Sequence, residues 1–258
     1  MDIVSLSTSV EPLFWKHVTR DISHYFFFAY DWKYNRKHTQ ILLAMEQKQI
    51  IGMMLKYRDR IVQLRGSDQA VKILFHELDL DEVELQVSKK HSPLVLEKYD
   101  PTFSTDLMLM TVHSGEEKPQ IRHTIVRLDA SYAEEIASIL REGSPEIWSD
   151  VTRQQVVEGM DDQAWVGIKV KDELVSLCSF RVTEWMGHVG RVATHKKYRN
   201  RGYATSTVSY AVKNMLQNRS DAIIFVRADN LSAIHVYQNV GFKSYRTYFF
   251  MKGKKLAS

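Results

Sequence analysis

The sequence predicts an α/β protein of two domains in tandem, each a mixed central sheet flanked by helices. Three observations carry this expectation. Short strand-like runs alternate with helix-like runs along the 258 residues. The same order of runs occurs twice. Between the two occurrences lies Ser114-Gly115-Glu116-Glu117-Lys118-Pro119, a polar stretch with a glycine and a proline. The expected spans are a first domain over 1–113, a linker over 114–122 and a second domain over 123–258, in keeping with ~100–200 residues per domain.

In the first half, apolar residues at spacings of three and four predict a helix over Glu11–Lys33. Its aromatic end reads as a face turned to the core, because aromatics bury the most area per residue. Gln40–Met45 and Ile50–Tyr57 read as a hairpin across the polar Glu46-Gln47-Lys48-Gln49. Ile61–Leu64 is a third strand. Ser67–Leu78 is a helix capped by Ser67 or Asp68. Val83–Val87 is a strand, Ser92–Tyr99 a short helix and Leu107–Val112 a strand.

The second half repeats the plan. Thr124–Leu128 reads as strand, Ser131–Arg141 and Thr152–Met160 as helices, and Trp165–Val170 and Leu174–Val182 as a strand pair. Then follow strand Gly187–Thr194, helix Tyr203–Leu216, strand Ala222–Ala228, helix Leu231–Asn239 and strand Ser244–Met251. Val87–Pro93 lies opposite Arg227–Ala233 in a weak residue match that supports an internal duplication.

Composition excludes several classes. At 44% hydrophobic and 26% charged, with 11 Gly and 5 Pro, the chain is neither disordered nor collagenous. The single cysteine, Cys178, excludes an internal disulfide framework and a cysteine zinc cluster, and no metal is expected. The densest apolar stretch, Tyr25–Tyr30, is far shorter than the ~20 residues of a spanning helix. The N-terminus lacks a secretory plan, so no membrane association and a cytoplasmic location are expected. A net charge of +4 is too small to argue for nucleic acid, and none is expected as partner. Monomer and homodimer are both open.

The charge is local instead, in His195-Lys196-Lys197-Tyr198-Arg199-Asn200-Arg201. The segment Arg199-Asn200-Arg201-Gly202-Tyr203-Ala204 follows a strand and opens a helix. The first turn of a helix presents unpaired backbone N–H groups and the positive end of its dipole. Gly202 and Ala204 let an anion approach that backbone, and the arginines add charge, which together suit a phosphate or pyrophosphate. The Gly-Lys-Ser/Thr of a nucleoside-triphosphate loop and the three glycines of a dinucleotide turn are missing. Further on, Asn230 reads as an N-cap and Gly241 as a left-handed stop, with Asn230, Ala233, Ile234 and Tyr237 near one helix face.

These paired segments resemble the GNAT superfamily of N-acetyltransferases. Arg199, Gly202 and Ala204 match its Gln/Arg-x-x-Gly-x-Gly/Ala loop. Asn230, Ala233, Tyr237, Gly241 and Phe242 match its Asn-x-x-Ala-x-x-x-Tyr-x-x-x-Gly-Phe segment. The resemblance covers about Thr124–Met251. The two-half layout is similar to the glycine N-acyltransferase-like branch, and the fold implied is two GNAT-like domains with the first degenerate. In the first half an acidic residue stands in Leu64-Arg65-Gly66-Ser67-Asp68, and Lys90 and Glu97 lie opposite Asn230 and Tyr237.

The resemblance implies acetyl-CoA as co-substrate and a primary amine on a small molecule or peptide as acceptor, joined by direct attack in a ternary complex. Arg199, Asn200, Arg201, Gly202, Tyr203, Ala204 and Thr205 would hold the pyrophosphate. Val192, Ala193 and Thr194 would pair with the pantetheine arm, and Asn230 and Ala233 would lie on the cofactor. Tyr237 would protonate the leaving thiolate. His188 stands where some members carry a glutamate base, and its ordinary pKa suits a base near neutral pH. Glu184 is the reserve base. Cys178, inside an apolar strand, is a poor nucleophile. The alternatives are transfer of a longer acyl group to an amino acid such as glycine, and a CoA-binding sensor without catalysis.

Overall fold

The computed structural model describes residues 1–256, which fall into two compact units. The first is Met1–Met108 with the strand residues from Arg246 onward; the second is Leu109–Tyr245. The C-terminal strand therefore belongs with the first unit, not with the span 123–258 that the sequence suggests. The expected linker is no free tether either. Within the second unit, Ser114 N–H donates to Ser220 O (2.8 Å) and Lys118 N–H to Val240 O (2.8 Å). Gln120 N–H and Arg122 N–H reach the hydroxyls of Ser209 (2.9 Å) and Ser206 (3.1 Å). Polar residues at 114–122 signal exposure, and here their backbone is also hydrogen-bonded.

The first unit opens with β1 (Asp2–Ser5), α1 (Glu11–Val18) and α2 (Phe26–Tyr34). The one helix expected over Glu11–Lys33 is thus two. The break follows a tight turn at Thr19–Asp21, where the Asp21 carboxylate accepts the backbone N–H of His24 at 3.1 Å. Next come β2 (Thr39–Glu46), β3 (Gln49–Tyr57), β4 (Ile61–Gly66), α3 (Asp68–His76), β5 (Glu82–Ser88), α4 (Ser92–Leu96) and β6 (Tyr99–His113), whose last residues enter the second unit. Strands β1 to β4 form an antiparallel meander, and β4 then pairs with β5 in parallel. Helix α3 supplies that crossover and buries Ala70, Val71, Leu74 and Phe75 against Leu64, Leu85 and Val87.

The second unit contains β7 (Val126–Arg127), α5 (Ala133–Gly143), α6 (Pro145–Trp148), α7 (Arg153–Gly159), β8 (Ala164–Val170), β9 (Glu173–Val182) and β10 (Gly187–Thr194). After them come α8 (Tyr203–Leu216), β11 (Asp221–Arg227), α9 (Leu231–Val240) and the start of β12 (Lys243–Lys255). The strand expected over Thr124–Leu128 shrinks to two residues. Helix α7 carries the capping box that Thr152 and Gln155 encode. The order β7–β8–β9–β10 is antiparallel, and β10–β11 is parallel across α8. Helices α5 and α7 cover one face by packing Ile136, Leu140 and Val156 with Trp165 of β8. Helix α8 buries Val208, Ala211, Val212 and Met215. Among the described residues no helix is long and apolar enough to cross a membrane.

Each unit is a mixed sheet flanked by helices, as the sequence predicts, and the meander–helix–strand–helix order recurs. The first unit also buries a polar cluster. Arg65 on β4 is 1% exposed, stacks its guanidinium on Tyr248 (4.2 Å) and lies among Gln63 and Gln86. His24 Nδ1 meets the Tyr248 hydroxyl at 2.6 Å. Burial first, then Arg65 and Arg246, push the His24 pKa from 6.5 down to about 3.

The unfolded chain therefore takes up this proton before the folded one does. His24 contributes stability that is whole above pH 6.5 and is lost as pH falls from 6.5 toward 3. Urea midpoints should fall with acidification below pH 6.5, and the slope between pH 6.5 and 5 should flatten in His24→Gln. An equal slope in both proteins would remove His24 as the cause.

Candidate active site

The site is set by a ladder that ends early. Strand β10 pairs with β11 only at Gly187↔Ala222, His188↔Ile223 and Val189↔Ile224. The antiparallel pairing of β10 with β9 goes on to Val192↔Cys178, Ala193↔Leu177 and Thr194↔Ser176, past a bulge after Val189. Strand β11 has parted from β10 over this stretch. The odd residues turn their backbone to β9: Arg191 N–H donates to Ser179 Oγ (2.8 Å), Ala193 O accepts from Ser176 Oγ (3.2 Å), and His195 N–H donates to Val175 O (2.9 Å). By the two-residue period of a strand, Val192 and Thr194 present theirs to the opened edge. Buried backbone groups need partners, so this edge suits an extended amide-bearing chain.

The chain then turns into α8. Asn200 (φ 62°) and Gly202 (φ 75°) are both left-handed, and Gly202, the N-cap, offers no side chain to the first-turn N–H groups. Arg199, Asn200, Arg201 and Gly202 are exposed, while Tyr203, Ala204 and Thr205 are half-buried. Arg199 Nε donates to Thr194 O (3.4 Å), which sets its guanidinium at the open edge. His123 Nε2 meets Arg201 O (3.1 Å), and Tyr198 donates to Glu173 (2.8 Å), pinning the loop. Unpaired N–H groups, a dipole end and two arginines converge, the arrangement that binds a phosphate.

Helix α9 packs against α8. Asn230 caps it by accepting Ala233 N–H at 3.1 Å, so the Asn230 side-chain carbonyl is spent on the helix. Gly241 ends α9 at φ 111°, and a Cβ there would lie 2.7 Å from Glu116 O. Phe242 N–H returns to Tyr237 O (3.0 Å), and the Phe242 ring meets that of Tyr237 edge-on at 6.2 Å. Tyr237 is thereby held, 6% exposed. Burial raises its pKa, and Cys178, opposite Val192 in the ladder, raises it further. The phenol keeps its proton at neutral pH.

Residues 133–242 match the sequence model of the Acetyltransferase (GNAT) family. This segment is a GNAT-family acetyltransferase domain. Solved structures agree on the fold. A protein from Drosophila is similar over 96% of this chain and 98% of its own, with 11% identity and a TM-score of 0.75. A GNAT-family protein from Novosphingobium aromaticivorans covers 79% of this chain and 89% of its own at 17% identity and TM-score 0.59. A tandem GNAT protein of the clavulanic acid biosynthesis pathway covers 85% and 83% at 10% identity and TM-score 0.53. Among curated protein sequences, none matches significantly.

The GNAT domain brings Val192, Ala193, Thr194, the loop Arg199–Thr205, Asn230, Ala233 and Tyr237 to one end of the sheet. It does not bring His188 and Glu184 there. His188 lies on the part of β10 still paired with β11, 7% exposed, its ring 6.4 Å from Phe225. Burial, then the charge of Arg181, drive its pKa well below 6.5. The near-neutral pKa that recommended it as a base is removed by the fold. Glu184 is exposed in the turn Thr183–Met186, before β10 begins, and the eight residues of β10, at ~3.3 Å each, separate that turn from the phosphate loop.

Cys178 is fully buried, and burial pushes its thiol pKa up. Among the described residues no group of three or more His, Cys, Asp or Glu is gathered as a metal site requires. Sequence reading passed over Arg181 and Arg191, although a charge inside an apolar strand was the available signal. Both arginines lie largely buried beside Asp162, and Arg181 bonds it at 3.1 Å.

A thiol with a raised pKa holds almost no thiolate at pH 8. Cys178 should resist iodoacetamide in the native protein and react at once in urea, as read by mass spectrometry. Rapid native labelling would overturn its burial.

Proposed function

We propose that the protein is an acetyl-CoA-dependent N-acetyltransferase acting on a primary amine by direct attack. The observation that carries this is the parting of β10 from β11 beside an uncapped α8 N-terminus, with the protonated Tyr237 beside Cys178, the register partner of Val192. These residues fit the co-substrate. First-turn N–H groups of α8 with Arg199 and Arg201 suit the pyrophosphate, and the backbone of Val192 and Thr194 suits the amides of the pantetheine arm.

Acetyl-CoA supplies the thioester carbonyl. In the transfer a C–N bond forms, a C–S bond breaks, the amine loses a proton, and the departing sulfur needs one. Tyr237 donates that proton or a hydrogen bond; its raised pKa keeps the donor loaded. Buried His188 and the distant, exposed Glu184 leave the amine proton to water. Holding amine and thioester together supplies the larger part of the rate. Buried Cys178 takes no acyl group, so the acceptor attacks directly.

Titration calorimetry should show micromolar acetyl-CoA binding in the wild type and at least a ~100-fold loss in Gly202→Glu, whose carboxylate occupies the anion position. Unchanged binding would remove the loop from the cofactor site. In a thiol-release assay over an amine panel, Tyr237→Phe should lower kcat about 10²-fold, the low end for a lost acid, with acetyl-CoA affinity preserved. Binding of acetyl-CoA with no turnover of any amine would favour the sensor reading.

A further inference from the structure

The net charge of the whole chain, +4, is too small to argue for nucleic acid, but the first unit concentrates charge at one end of its strands. Two segments, Lys33-Tyr34-Asn35-Arg36-Lys37-His38 and Lys56-Tyr57-Arg58-Asp59-Arg60, meet there. Where β2 begins and β3 ends, Thr39 pairs with Tyr57 and Gln40 with Lys56. Arg58 N–H donates to His38 O at 2.9 Å. The short turn after β3 leads at once into β4, with Ile61 opposite Tyr57. Neighbouring strands lie ~4.8 Å apart, so the cations of both segments share one small surface.

That charge is only partly cancelled. Glu11 pairs with Arg36 (3.4 Å) and Glu84 with Arg60 (2.9 Å). Asp59 is exposed, while Asp31 is buried and bonded to Asn35 (2.9 Å). Among the described residues Lys37, Lys56 and Arg58 have no carboxylate within ion-pair distance. Lys37 and Arg58 are exposed and Lys56 is half-buried. Aromatic rings are interleaved with these cations. Tyr34 is 50% exposed, with Lys33 Nζ 5.6 Å from its ring centroid. The Arg58 guanidinium lies over Tyr57 (5.3 Å) and that of Arg36 over Trp32 (4.1 Å).

Like charges gathered this closely repel one another, and a bound polyanion relieves that repulsion. A nucleic-acid strand offers one phosphate per nucleotide to the cations and one flat base to the rings. Stacking of bases on aromatic side chains adds affinity whatever the base. An acidic peptide would answer the cations and leave the rings unused. A lipid surface would need aliphatic side chains to enter it, and among the described residues of these segments Tyr34 is the one large exposed hydrophobic. A duplex keeps its bases stacked on each other, so a single strand suits the rings better.

We propose that this end of the first unit binds single-stranded nucleic acid, with phosphates at Lys37, Lys56 and Arg58 and a base on Tyr34. The surface is separate from the phosphate loop of the second unit, and the proposal does not depend on the acyl-transfer reading.

The test is fluorescence anisotropy of the full chain with end-labelled oligo-dT and oligo-U of about 20 nucleotides, longer than the ~4–16 that a small binding fold occupies. At least one should bind in the micromolar range at about 50 mM KCl and weaken about 15-fold at about 200 mM, since three phosphate contacts at ~0.7 each give a slope near ~2. A preference between the two strands names the sugar that is read. The triple variant Lys37→Glu, Lys56→Glu, Arg58→Glu should bind at least about 30-fold more weakly. Tyr34→Ala should lose about tenfold with its salt slope unchanged, because stacking releases no counterions. Thermal melting checks that each variant is folded. If the triple variant is not, Lys37→Ala alone should lower the slope by ~0.7.

Three results would overturn the proposal. One is no binding of either strand at low salt. Another is a loss in Lys196→Glu, Lys197→Glu that the triple variant does not show, which would move the contact to the second unit. The third is poly-glutamate of equal length binding as tightly as the oligonucleotides, with Tyr34→Ala without effect, which would leave a surface that reads charge alone.

Discussion

A parallel strand pair that stops after three residues is the constraint from which the rest of the molecule follows. It occurs twice, at β4–β5 and at β10–β11. Each time, strand edges that would have paired are left with backbone donors and acceptors to satisfy. The two units meet this demand differently. In the first, Arg65 donates to Gln86 O (3.2 Å), to Leu64 O (2.9 Å), and to the side chains of Gln63 and Gln86. A guanidinium buried without a carboxylate is expensive, and these bonds together with the Tyr248 ring offset it. The opening is filled by the chain itself. In the second unit the edge at Val192 and Thr194 stays available, with Arg199 lying on it.

The helix that follows each opening shows the same contrast in charge. Helix α3 starts with Ser67, which caps Ala70 N–H at 3.3 Å, and with Asp68, which pairs with Lys90 and with His91 (3.0 Å). The positive end of its dipole, worth about half an elementary charge, already has its anion. Helix α8 starts at Gly202, with Arg199 and Arg201 just before it, and carries no acidic residue in its first turn. In the first unit a carboxylate of the chain itself stands where that dipole end would favour an anion.

Burial then sorts the chemistry of the second unit. It disfavours the charged form of every group it covers. For Tyr237 that means a retained proton, which suits an acid. For His188 it means a lost base, and for Cys178 a lost nucleophile. Arg191 cannot respond in this way, since a guanidinium stays charged.

Much of this was legible in the sequence. The strand and helix order, the Gly202 loop, the Asn230 cap and the Gly241 stop all depend on neighbours a few residues apart, through periodicity, capping and left-handed backbone. Arg199, Gly202, Tyr237 and Gly241 could therefore be singled out from local pattern. What local pattern does not encode is depth and long-range pairing. The stitching of 114–122 onto Ser206, Ser209, Ser220 and Val240, and the membership of β12 in the first unit, rest on partners far along the chain. So do the burial of His188 and the meeting of Arg191 with Trp148 and Trp165. The sequence by itself determined which turns, caps and helix faces could form. Only the tertiary structure decided which side chains lost water, and loss of water is what sets a pKa and leaves a charge without a partner.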